Sequence, residues 1–147
     1  MCLEVNIKCS CGNKEVAFNL RDGILTPEVI LKVYCPECSK EVTFNSETMI
    51  RDRDWIIEYD IEIARFLLTG KRGISPYKVT PEFVFDEGYA AWKETYPGEL
   101  KEIEGEKAKI VKLLEEDPKS YFQTIKEWAI ARANKLKAEG WRKAQKM

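Results

Sequence analysis

Four cysteines fall into two close pairs, Cys9-Ser10-Cys11 and Cys35-Pro36-Glu37-Cys38, separated by 23 residues in a chain that contains no histidine. A thiolate is a soft metal ligand and, where activated, a nucleophile or redox centre. Each pair sits at a turn signal, Gly12-Asn13 after the first and Pro36 within the second. Two such turns facing each other close a tetrahedron of sulfur around one ion, and Zn²⁺ with four sulfurs at about 2.3 Å is the structural form of that site. Cys9, Cys11, Cys35 and Cys38 are therefore the expected ligands of one structural Zn²⁺ per chain, with iron as the other metal that suits the same donors. A four-ligand site is complete without the fifth thiol, Cys2.

The elements that must position these thiols read as strands. LEVNIKC and EVAFNL cluster β-branched and aromatic residues on either side of Gly12-Asn13, and VILKVYC and EVTFN do the same around the second pair. On this pattern residues 3–45 resemble a zinc ribbon, a family of small β-domains with a metal knuckle on each of two hairpins. CPEC at 35–38 matches the family's second knuckle, and Gly12 matches the small residue that follows a knuckle. The first knuckle differs, with one residue between its cysteines where the family has two. The resemblance covers less than a third of the chain and implies a metal-stabilised fold without implying one activity.

A closed set of four thiolates leaves no open position for a substrate, and no Ser-His pair exists, so no catalytic residues are assigned and the protein is not expected to be an enzyme. The chemical rival is thiol redox cycling of Cys9/Cys11 and Cys35/Cys38. A thioredoxin-like motif would lead into a helix of a βαβ unit, whereas SKEVTF after CPEC reads as a strand. Zinc bound by four thiolates carries a net charge of −2, which Lys8, Lys14, Lys32 and Lys40 can offset.

The remainder reads as helical, giving an α+β chain: a ribbon-like metal domain over 1–50 and a domain of about four helices over 51–147. DWIIEYDIEIARFLLTGKRG places Ile56, Tyr59, Ile63, Phe66 and Leu67 on one helical stripe, capped by Asp54 and ended by Gly70, although IEYDIEI also alternates with period two. Thr80-Pro81 opens a second helix, carrying Phe83, Phe85, Tyr89 and Trp92 as far as Pro97-Gly98. A third spans Glu99 to Glu116 with Ile103, Ile110, Val111 and Leu114 inward. Asp117-Pro118 opens the last, with Phe122, Ile125, Ala129, Ala133 and Leu136 on one face.

Composition bounds the class. The chain has 147 residues, 44% of them hydrophobic and 33% charged, enough for a packed core and too apolar for disorder. No apolar run reaches the length of a membrane span, and the first residues lack the pattern of a signal peptide, so a cytoplasmic protein with reduced thiols is expected. The dominance of Lys and Glu fits a thermophilic source. Residues 1–50 carry a net −2 and residues 97–117 a net −3, whereas residues 118–147 carry +6. Phosphate binding needs Lys and Arg, so the acidic ribbon points to a protein partner. The basic tail, with Arg132, Lys135, Arg142 and Lys143 near Trp128 and Trp141, is the alternative as a nucleic-acid surface. The helices can also mediate self-association.

Overall fold

The computed structural model describes residues 3–142. The fold is α+β. In order along the chain lie strands β1 (Leu3–Lys8), β2 (Glu15–Leu20), β3 (Ile30–Tyr34), β4 (Met49–Asp52) and β5 (Trp55–Tyr59), then helices α1 (Ile61–Arg72) and α2 (Pro81–Asp86), strand β6 (Ala91–Trp92), and helices α3 (Glu99–Glu116) and α4 (Pro118–Glu139). The strands form two antiparallel three-stranded sheets, in the orders β1-β2-β6 and β3-β5-β4. Residues 3–97 with Arg142 belong to one compact unit and Gly98–Trp141 to a second. The division expected after residue 50 falls instead inside β4, because β3 and β5 pair across it.

In the first unit the alternation of β2 buries Val16, Phe18 and Leu20, the pattern of a sheet with one face on the core. The stretch expected to start a helix at Asp54 is β5. It is the central strand of its sheet, and Trp55, Ile56, Ile57 and Tyr59 are all buried. A strand covered on both faces presents a continuous apolar run that periodicity cannot tell from a buried helix. The helix begins six residues later than expected. Asp60 caps it by accepting from the Ile63 N–H at 3.2 Å, and Gly73 ends it in the left-handed region at φ 66°. Its inward residues are Ile61, Ala64 and Leu68, while Phe66 is 79% exposed. Thr80 and Pro81 do open α2, but it ends at Asp86. Tyr89 lies beyond it, and Trp92 lies in β6, paired with Phe18 of β2. EVTFN is no strand: Cys38–Glu41 is a 3₁₀ turn, and β3 finds its partner in β5.

The core of this unit gathers around Trp92, whose ring lies 4.9 Å from Phe18, 5.7 Å from Trp55 and 5.9 Å from Phe85. Two buried polar contacts join the sheets. The Trp92 indole N–H donates to Asp52 Oδ2 at 2.6 Å, and the Tyr59 hydroxyl donates to the Ala90 carbonyl at 2.5 Å. Asp52 is 1% exposed. Burial raises its pKa, and the Trp92 indole, the Arg142 backbone N–H and the Arg142 guanidinium offset only part of that rise.

The second unit is an antiparallel helical hairpin. Asp117 joins and caps its helices, accepting from the Ser120 N–H and hydroxyl, contacts that lower its carboxyl pKa. The expected bounds of α3 and the start of α4 agree with the structure. The expected inward faces agree only at Ile103, Ile110, Ile125 and Leu136. Val111, Leu114, Phe122, Ala129 and Ala133 are exposed. The seam is instead partly polar: Arg132 reaches Glu99 at 3.6 Å, Glu102 at 3.2 Å and Glu106 at 3.3 Å, and the Trp128 indole donates to Glu106 at 2.7 Å.

The folded chain takes up the Asp52 proton more readily than the unfolded chain, so the carboxyl's contribution is most favourable at low pH and is lost as pH rises through the raised native pKa. Asp52→Asn keeps an oxygen for the Trp92 indole and removes that titration. Its stability relative to the parent should therefore be greater at about pH 8 than at about pH 5, read as the difference in urea midpoints. An equal difference at both pH values would refute the assignment.

Candidate metal centre

The first cysteine pair is carried by the turn of the β1–β2 hairpin, whose register closes at Lys8↔Glu15. Within it the Cys9 N–H donates to the Lys14 carbonyl and the Gly12 N–H to the Cys9 carbonyl, both at 2.8 Å. Gly12 sits at φ 75°, where a side chain would be strained. The second pair follows β3 directly. Pro36 and Glu37 carry the chain over, and the Ser39 N–H donates back to the Cys35 carbonyl at 2.8 Å. The Ser10 N–H donates to the Val33 carbonyl at 3.3 Å, which holds the first turn against β3.

These turns bring Cys9, Cys11, Cys35 and Cys38 together, with all four Sγ atoms within 4.8 Å of one another. Cys11 Sγ and Cys35 Sγ are 4.0 Å apart. Four sulfurs at 2.3 Å from a central ion define a tetrahedron with an edge of about 3.8 Å, so the arrangement fits one ion with little movement. Cys9 and Cys35 are buried, Cys38 is half-buried and Cys11 is exposed.

Contacts within the cluster shift two of its thiols in opposite directions. Burial opposes ionisation of Cys9, but backbone N–H groups of Cys11 and Cys35 and the thiols of Cys11 and Cys38 outweigh it and bring its pKa down to about 6. The Cys35 N–H lies 3.2 Å from Cys9 Sγ. Cys38 is pushed up to about 12, because its thiol is held by its sulfur neighbours Cys9, Cys11 and Cys35. Cys9 thus gives up its proton more readily than a free thiol and Cys38 holds its own more firmly. Lys8, Lys14, Lys32 and Lys40 are all exposed.

Sequence reasoning missed Ser39. It is 8% exposed, and its hydroxyl lies 2.5 Å from the Asp54 carbonyl and 3.1 Å from the Pro36 carbonyl. It ties the second cysteine turn to the β4–β5 hairpin, where Arg53 takes a left-handed conformation at φ 58°. Its position beside Cys38 was visible, but a partner 15 residues away was not.

The residues expected to contact nucleic acid are placed differently. Arg132 lies in the helical seam with its three glutamates, 10% exposed. Arg142 pairs with Asp86 at 3.2 Å and lies over the Phe85 ring. Lys135 is exposed on α4. Lys143 and Cys2 lie outside the described residues. No helix among the described residues is long and apolar enough to cross a membrane. No protein-family model, curated protein or solved structure matches this sequence.

Ser39→Ala should lower the stability of the protein by about 1 kcal/mol, since it removes the hydrogen bond that the buried Ser39 hydroxyl makes to the Asp54 carbonyl. Urea denaturation checks this, and an unchanged midpoint would remove Ser39 from the support of the site.

Proposed function

We propose that this chain is a structural zinc protein that serves as a macromolecular interaction module, with another protein as its partner. The observation that carries the metal reading is the convergence of four sulfurs from two separate turns, within 4.8 Å of one another. A set of four thiolates fits a closed structural ion. Bound there, the ion supplies a cross-link between the β1–β2 turn and the end of β3. The cysteines, the N–H groups that point at the Cys9 sulfur, and Ser39 hold the two turns in place. The short spacing of Cys9 and Cys11 favours zinc over an iron centre of the rubredoxin type. CPEC runs into a 3₁₀ turn and not into a helix N-terminus, which favours a structural role over thiol redox cycling.

The partner reading rests on surface chemistry. Phe66 is 79% exposed and Tyr77 95% exposed, large apolar groups of the kind that anchor protein interfaces. The cysteine-bearing segment is acidic before the cluster adds its own negative charge, and Arg132 and Arg142 are paired with carboxylates. Both features disfavour phosphate contacts.

Elemental analysis with native mass spectrometry of the purified chain should find one zinc per chain. Removing it with a chelator, or Cys38→Ser, should unfold the β1–β2 turn and the β3 end, seen as loss of near-ultraviolet circular dichroism. Zinc affinity should also fall as pH is lowered, because binding displaces thiol protons. Metal-free protein whose cysteines oxidise in pairs would replace this reading with the redox one. A nucleic-acid shift that weakens steeply with salt would replace the protein partner.

A further inference from the structure

The helical hairpin buries very little. Over Gly98–Trp141 the buried apolar side chains are Ile110 and Leu136, too small a core for a unit of this size to stand on. Meanwhile Leu100, Val111 and Leu114 of α3 are 40–47% exposed and Phe122 of α4 is 63% exposed.

These exposed groups share a face. An α-helix advances about 100° per residue. On α3 the seam runs through Glu99, Ile103, Glu106, Ile110 and Leu113, and Leu100, Val111 and Leu114 lie about 90° round from it. On α4 the seam runs through Tyr121, Ile125, Trp128 and Arg132, and Phe122, Ala129 and Ala133 lie about 90° round in the same rotational sense. The two helices are antiparallel, so equal rotation in each chain direction turns both stripes to the same side of the hairpin. Lys107 lies within this stripe, with its ammonium drawn 5.9 Å from the Trp128 ring. The opposite side carries Lys101, Lys109 and Lys112 with Gln123, Glu127 and Asn134.

The outer borders of the apolar face are oppositely charged. Beside it α3 presents Glu104 and Glu115, and α4 presents Lys119, Lys126 and Lys137, all exposed. A second hairpin related by a two-fold axis parallel to the helices would set α3 of one copy over α4 of the other. Such an axis keeps every residue at its level along the hairpin. The Arg132–Glu102 and Trp128–Glu106 contacts fix those levels. Glu115 then meets Lys119 of the second copy, and Glu104 comes within about one turn of its Lys126.

We infer that the apolar face of α3 and α4 is a homodimer surface, on which a second copy of this chain packs its own hairpin to complete an antiparallel four-helix bundle. Face-to-face packing buries both stripes, and the acidic and basic borders select this pairing over α3 on α3, where like charges would meet. The surface is independent of the cysteine cluster, so dimerisation and zinc content can fail separately.

Sedimentation equilibrium on the full chain in its zinc-loaded form, at micromolar concentration, should give twice the chain mass of 17.1 kDa. Phe122→Glu should return it to a monomer with unchanged far-ultraviolet helicity. Glu115→Lys should raise the dimer dissociation constant by about tenfold, and adding Lys119→Glu should restore it. A monomeric parent chain, whether the face is covered by the rest of the same chain or by a foreign partner, would overturn the inference. So would a dimer indifferent to Phe122→Glu, or a charge reversal that the second reversal does not rescue.

Discussion

Neither sheet of the first unit can stand alone. Each has three strands, one with an edge strand of two residues, and each needs its apolar face covered. What holds the unit together is therefore whatever couples β1-β2-β6 to β3-β5-β4. The four sulfurs form one such coupling, since Cys9 and Cys11 leave β1 and Cys35 and Cys38 follow β3. The Trp92–Asp52 and Tyr59–Ala90 hydrogen bonds form a second, within a core built on Trp92. An ion held by the first coupling would link the two turns through its sulfur ligands, and the second supplies apolar burial around two satisfied donors.

The second coupling has a cost. A carboxylate as deeply buried as Asp52 is unfavourable unless compensated. The indole donor and Arg142 compensate it in part, and Arg142 in turn is engaged by Asp86 and Phe85. The two arginines that a charge count assigns to an exposed basic tail are thus used as internal partners, one in each unit.

The hairpin follows a different principle. Its seam joins an arginine and a tryptophan to glutamates, which fixes the rotation of both helices. That rotation leaves the more continuous apolar stripes outside the seam. A polar seam is specific but contributes little net stability, and the apolar stripes it leaves uncovered are the stronger source of association.

Much of the candidate metal site was legible in the sequence, because the cysteines that form it are defined by residue type and by short local spacing: two pairs, each beside a turn former and behind a strand. The caps at Thr80 and Asp117 and the extent of α3 were legible for the same reason, since caps act over three or four residues. The structure alone decided the strand at Trp55–Tyr59, because burial on both faces erases the alternation that marks a strand. It alone placed Trp92 in a strand against Phe18, joined Ser39 to Asp54, and turned the hairpin onto its polar seam. Each of these depends on a partner at least a dozen residues distant. Local chemistry sets what a residue can do, and the packing of distant segments sets which of those possibilities it meets.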